Sequence, residues 1–148
     1  MSVAYADELR GKYADEIETG MSAVYSKTVT ETDIVLFAGL SGDTNPVHLD
    51  EDFAKPTLFK GRIAHGMLTA GFISAVLGTK LPGPGCIYLS QTLKFKAPVR
   101  IGDTVVARCT ATAIDKEKGR VTFATVATVG ETVVLEGEAM LLVPKRPA

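Results

Sequence analysis

The chain has no tryptophan, two cysteines, two histidines and only 7% aromatic residues in 148 positions. Cys86 and Cys109 form no CxxC pair and no metal-ligand spacing, which argues against a disulfide scaffold or a structural zinc site. Each falls in a strand-like run, where a small buried thiol is the simplest reading. His48 and His65 have no matched carboxylate or thiolate spacing around them, so no metal is expected. Neither sign of charge dominates: 16 Lys and Arg against 17 Asp and Glu leave a net charge of -1. There is thus no electrostatic case for nucleic acid or an anionic membrane surface as partner. A phosphate-bearing ligand would have to be served by a few local cations. Long hydrophobic runs are also missing. The longest weakly polar stretch, Gly66 to Gly78, is short of the roughly 20 residues that span a bilayer. The N-terminus shows no signal-peptide pattern, which makes a reducing cytoplasmic compartment the expectation.

What is present is globular in character, with 46% apolar and 22% charged residues, enough for one domain with a true core. We read residues 1–148 as a single domain in which 1–20 form a loosely held polar lead-in with some helix. Ser22 to Val29 reads as a first strand. Thr30 and Asp33 then form a Thr-x-x-Asp box, a helix-start signature in which side-chain oxygens cap free backbone amides. Ile34, Phe37, Ala38 and Leu40 follow at helical spacing, so this helix should end at Gly42. A second helix is expected from Gly66 to a stop at Gly78. Only Thr69 and Ser74 are polar between Met67 and Leu77, and a helix apolar all round is expected to be wrapped all round.

The second half of the chain changes period. Ile87, Leu89, Gln91, Leu93 and Phe95 alternate with Tyr88, Ser90, Thr92, Lys94 and Lys96, which reads as a half-buried strand. Thr104 to Ile114, Arg120 to Val129 and Thr132 to Val143 are further strand runs, with 115–119 and 130–131 as hairpin loops. Long sequential antiparallel strands with one apolar helix imply an α+β fold, a curved sheet wrapped around that helix.

The chemistry concentrates in Ser41-Gly42-Asp43-Thr44-Asn45-Pro46-Val47-His48. Asn45-Pro46 disfavours helix at Asn45, so Asp43 and His48 should sit in a bend able to aim both side chains at one point. A carboxylate and an imidazole converging there suit proton transfer. Alone, Asp43 also reads as a turn cap and His48 as a loop histidine satisfied by backbone. Asn45 either orders the bend or contacts ligand. His65 is read as structural rather than as a second base. Gln91 breaks an apolar face and should be hydrogen-bonded to backbone.

Three elements in order, Phe37-Ala38-Gly39-Leu40-Ser41-Gly42-Asp43-x-Asn45-Pro46-x-His48, His65-Gly66-Met67 and Phe95-Lys96-Ala97-Pro98-Val99-x-x-Gly102-Asp103, resemble the MaoC-like (R)-specific enoyl-CoA hydratases. These are the type-2 hydratases of polyhydroxyalkanoate and fatty-acid metabolism. The resemblance runs from about Gly20 to the C-terminus. It implies a hotdog fold, a homodimer and an acyl-CoA ligand that is substrate, with no cofactor.

It also implies that Asp43 and His48 are the catalytic dyad, their acid and base roles left undivided because coupled groups titrate together. The Gly66 N–H becomes the oxyanion donor, at a helix N-terminus where the dipole favours negative charge. Asn45, His65 and Ser74 become supporting residues. Ser74 then either bonds a neighbouring carbonyl or helps hold the aspartate. Met67 and Leu77 are candidates for the acyl pocket. Lys55, Lys60, Arg62, Lys94, Lys96 and Arg100 are candidates for the CoA phosphates.

The implied reaction is reversible syn hydration of a trans-2-enoyl-CoA to the (R)-3-hydroxyacyl-CoA. The alternatives are a dehydratase acting on acyl-carrier-protein thioesters or on branched or dicarboxylic CoA esters. A hotdog thioesterase would place its working carboxylate differently, and a non-catalytic acyl-CoA-binding module would lack the Asp/His dyad.

Overall fold

A computed structural model describes residues 3–148. Six strands form one antiparallel sheet in the order β1-β4-β5-β6-β2, with β3 also paired to β6. They run β1 Ser22–Thr28, β2 Ile87–Gln91, β3 Lys94–Phe95, β4 Thr104–Asp115, β5 Arg120–Val129 and β6 Thr132–Leu142. Short helices α1 Ala6–Leu9, α3 Pro46–Leu49 and α4 Glu51–Ala54 accompany two longer ones, α2 Glu31–Ser41 and α5 Gly66–Thr79.

The sheet follows from strict alternation. In β4 the residues Val105, Ala107, Cys109 and Ala111 are buried, and in β5 Val121, Phe123, Thr125 and Ala127, every second side chain as a pleated strand requires. The inward residues of β4 past Val105 are small, which lets α5 settle close to the strand. The Cys109 thiol lies 3.9 Å from the Ile73 carbonyl of α5. Burial pushes the Cys109 thiol up to about 12 and raises that of half-buried Cys86, so both are protonated near neutral pH.

Helix α5 buries Thr69, Phe72, Ile73, Val76 and Leu77, positions that make one stripe at helical spacing. Its other face is not wrapped, contrary to the expectation from its composition. Gly66, Met67, Gly71, Ser74 and Gly78 are exposed along it. Uniform apolarity carries no periodic signal, so the pattern could not show that one side lacks a partner within the chain. Gly78 also does not stop the helix, which continues to Thr79. No helix among the described residues is long and apolar enough to cross a membrane.

The run 87–96 departs from its expected form. It splits into β2 and β3, with a register shift between Tyr88 and Ser90. Ile87, Leu89 and Phe95, read as a buried face, are 56%, 44% and 53% exposed. Between the two strands Thr92 crosses directly over β6, where a Cβ on Gly137 would run into its carbonyl. Gln91 is tied to the Thr92 carbonyl at 2.8 Å and to the Thr125 hydroxyl at 2.9 Å, as a hydrogen-bonded interruption should be.

The polar lead-in is also better held than its composition implies. Ile17 is fully buried and Ala14 nearly so. Gly11 and Lys12 donate their amides to the carbonyls of Pro84 and Pro82, both at 2.8 Å. The guanidinium groups of Arg10 and Arg146 both pack on the Tyr13 ring, 3.9 and 4.9 Å from its centre.

Candidate active site

The site is built by the segment between α2 and α5. The Thr30 hydroxyl accepts the Asp33 amide while the Asp33 carboxylate accepts that of Thr30, so α2 starts where its capping box requires. It ends at Gly42 with φ 80°, a left-handed turn that glycine adopts without penalty. The chain then reverses into Asp43. Asn45 caps α3 by accepting the Val47 amide at 3.1 Å, with Pro46 as first helical residue. Proline suits that position because its missing N–H would have no helical acceptor there.

Two rings organise the centre. His48 and His65 stack with centroids 3.8 Å apart, and Phe37 of α2 packs on His65 at 4.8 Å. His48 Nδ1 lies 2.8 Å from the Ile63 carbonyl, and His65 Nε2 lies 2.8 Å from the Asp43 backbone carbonyl. A carbonyl only accepts, so both of these nitrogens carry the proton. In its neutral form His48 therefore keeps its lone pair on Nε2. Burial holds the His48 pKa below the ordinary histidine value, and the neighbouring His65 adds to this; the Ile63 carbonyl and Asp43 oppose it. His48 is thus suited to accept a proton near neutral pH.

The Asp43 carboxylate accepts the Asn45 amide at 3.2 Å, so it does cap the turn. It is nevertheless exposed, and it lines a cavity of about 550 Å³ together with His65, Gly66, Met67, Thr69 and Phe95. One carboxylate oxygen of Asp43 and one nitrogen of each imidazole lie within 4.8 Å of one another. Stacked rings direct their in-plane lone pairs side by side rather than at a common point, so this trio suits proton transfer better than metal ligation. At the cavity edge Gly66 opens α5, where backbone N–H groups have no helical acceptor. A side chain on Gly66 would meet the Phe95 ring at 2.5 Å. Any larger residue here would require the half-exposed Phe95 ring to move aside.

Residues 12–135 match the family described as MaoC like domain. The chain belongs to the MaoC-like family. It is 62% identical to an (R)-specific enoyl-CoA hydratase of Rhodospirillum rubrum, covering 95% of this chain and 98% of that protein. A 3-hydroxybutyryl-CoA dehydratase of Methylorubrum extorquens is 50% identical over 94% of this chain and 88% of its own length. Among solved structures, the unliganded R-hydratase PhaJ1 of Pseudomonas aeruginosa aligns with a TM-score of 0.86 and 44% identity, covering 92% of this chain and 88% of that one. The antiparallel sheet with α5 packed against it is the hotdog fold of these MaoC-like relatives.

Within this MaoC-like chain the expected site residues separate into groups. Asp43, His48 and His65 come together, and of these Asp43 and His65 line the cavity with Gly66, Met67 and Lys96. Asn45 spends its side-chain oxygen on α3 and is structural in the chain. Ser74 does not support Asp43 within the chain. It lines a separate hollow on the outer face of α5 with Tyr88, Gln91 and Leu93. Leu77 is 1% exposed and belongs to the core rather than to a pocket wall.

Arg62 is not a free cation for phosphate. Its guanidinium makes two hydrogen bonds to Glu31, at 2.9 and 3.0 Å, and its Nε donates to the His48 carbonyl at 2.7 Å. It therefore clamps α2 to α3 and steadies His48. Arg100 donates to the Phe59 carbonyl, and Lys96 pairs with Glu136 at 3.6 Å. Lys55, Lys60 and Lys94 are exposed. Leu58, Phe59 and Thr69 also line the cavity. They were missed because a loop leucine or phenylalanine and a mid-helix threonine give no local signal of facing a ligand.

Proposed function

We propose that the chain catalyses reversible addition of water across the double bond of a trans-2-enoyl-CoA, giving the (R)-3-hydroxyacyl-CoA. The observation that carries this is the approach of the Asp43 carboxylate and a buried His48 imidazole to within 4.8 Å, beside an apolar cavity at the start of α5. A water held by the dyad gives up one proton as its oxygen bonds C3, and the dyad returns one proton to C2. The proton count on the enzyme is unchanged over the cycle. Delivery of both hydrogen and hydroxyl from one dyad puts them on the same face of the double bond. As the C2–C3 π bond breaks, charge moves onto the thioester oxygen, which in this reading accepts a hydrogen bond from the Gly66 N–H at the positive end of α5.

Met67 lines both the dyad cavity and the outer hollow of about 450 Å³ that contains Ser74, so it stands between thioester and acyl chain. Lys96, at the cavity wall, is the cation best placed for CoA. The exposed outer face of α5 and neighbouring β2 form the seam of a homodimer in this reading. Apolar Met67, Tyr88 and Leu89, 54%, 40% and 44% exposed, are then covered by a second copy.

Loss of the ultraviolet absorbance of crotonyl-CoA on adding the protein tests the activity. No turnover on crotonyl-, hexenoyl- or octenoyl-CoA would remove the hydratase reading. Asp43→Asn and His48→Ala should each lower kcat by about two decades or more with the thermal midpoint retained. Near-normal turnover in either variant breaks the dyad assignment. Light scattering should return twice the chain mass, and a monomer would refute the seam.

A further inference from the structure

Asp43 and His48 stand on different elements: Asp43 follows the Gly42 cap of α2, and His48 belongs to α3. Their separation therefore depends on how those two helices are tied together. Residues 62 and 63 hold His48 at both ends. Its ring donates from Nδ1 to the Ile63 carbonyl at 2.8 Å, and its own carbonyl accepts the Nε proton of Arg62 at 2.7 Å. The Ile63 amide adds a bond to the Val47 carbonyl at 3.3 Å.

The far end of the Arg62 guanidinium crosses to α2. Its two terminal nitrogens donate to the two carboxylate oxygens of Glu31, at 2.9 and 3.0 Å, a fork that fixes direction as well as distance. Glu31 opens the 11-residue helix whose far end delivers Asp43. At 1.5 Å per residue the helix spans about 16 Å, so Glu31 is remote from the reacting atoms. An exposed ion pair contributes little by itself. This guanidinium is different: its side chain is only 16% exposed, and all three of its nitrogens are bonded.

We propose that Glu31 and Arg62 are positioning residues of the dyad: the fork on Glu31 aims Arg62 Nε at the His48 carbonyl, which keeps the His48 ring on Ile63 and in register with the Asp43 carboxylate. Without Glu31 the guanidinium is free to turn to solvent. The start of α2 then loses its tie to α3, and the His48 ring loses the constraint that seats its Nδ1–H on Ile63. Neither residue touches substrate; both act through His48. The part of the proposal that concerns turnover rests on the hydratase reading above, and the part that concerns the hold on His48 does not.

The test joins kinetics to spectroscopy. On crotonyl-CoA, Glu31→Gln should lower kcat by about three- to tenfold, the scale of one weakened charged hydrogen bond, with KM unchanged. Arg62→Met should lower it by about tenfold or more. Arg62→Lys should not recover it, because an ammonium keeps the charge but not the fork. Once Arg62 is Met, Glu31→Gln should have no further effect. The same losses should appear on the crotonyl thioester of N-acetylcysteamine, which has no phosphates. Lys27→Met breaks a different ion pair of the first turn of α2, Lys27 to Asp33 at 3.1 Å, and should leave kcat at the parent value. Full kcat in Glu31→Gln, recovery in Arg62→Lys, a loss confined to the CoA ester or an equal loss in Lys27→Met overturns the proposal. With ¹⁵N-labelled histidine, neutral His48 should carry its proton on Nδ1 in the parent and become a mixture of tautomers in Glu31→Gln and Arg62→Met. An unchanged tautomer in both variants overturns the proposal too. Should Arg62→Met not fold, Glu31→Gln and Arg62→Lys decide the matter. Absence of turnover in the parent would refute the hydratase reading, and the His48 tautomers would then decide the hold on His48 by themselves.

Discussion

The inner and outer faces of α5 are both free of charged residues and have opposite surroundings. The inner stripe, Thr69, Phe72, Ile73, Val76 and Leu77, is buried against the sheet. The outer face, Met67, Gly71, Ser74 and Gly78, meets no part of its own chain closely enough to be covered. Side-chain size separates them. Inside are branched and aromatic residues that fill volume; outside are mainly glycine and serine, which leave a shallow surface that another backbone can approach. The same helix can therefore organise a core on one side and remain available on the other. Its N-terminal end, where both faces meet the cavity, is where His65 and Gly66 lie.

The strongest way to break this contrast is to substitute on the inner stripe. Ile73→Ala should cost about 2–5 kcal/mol of stability, the range for emptying a buried branched site, read as a lowered denaturant midpoint. A cost below about 1 kcal/mol would mean that the stripe is not the packed face. On the outer face Gly71→Ala discriminates more finely, because an added Cβ there meets nothing within 4 Å. In a monomer the substitution should raise stability by about 0.5–1 kcal/mol through helix propensity. In a dimer sealed over this face it should instead weaken association, read by light scattering on dilution.

The subtlest effect concerns the helix entry. Burial lowers the His48 pKa, so the unfolded chain binds the proton more readily than the folded one. His48 therefore contributes stability above its ordinary value of about 6.5, and that contribution is lost as pH falls from there through the folded value. The acid limb of kcat/KM should likewise have its midpoint below about 6.5. A midpoint at or above that value would show that His48 is not the proton acceptor in the free enzyme.

Strands β4, β5 and β6 were legible because alternation is a local property: each pleat repeats the inside–outside choice. The capping box at Thr30 and Asp33 and the glycine stop of α2 were legible for the same reason. Within the site, Asp43, His48 and Gly66 carried enough local chemistry and motif order to be found. Elsewhere locality failed. Ile17 sits in a polar stretch, and only the contacts of 11–14 with 82–84 and Pro144 bring it into the core. Arg62 looked like any surface cation, yet a glutamate 31 positions away takes two of its hydrogen bonds. Ser74 and Leu77 lie on α5 near enough to the motif to look functional. The helical turn sends one outward and the other into the core.

The sequence by itself determined the α+β class, the strand-rich second half, the apolar helix and the turn carrying Asp43, because these follow from periodicity, caps and turn residues within a few positions; His48, expected in the same bend, stands instead on the short helix α3. Tertiary structure alone decided which side of α5 is covered and that Arg62 is spent on a clamp. It also decided that His48 stacks on His65, and that two buried polar atoms lack partners. Those outcomes depend on which distant groups compete for a hydrogen bond or a volume, and no local pattern encodes that competition.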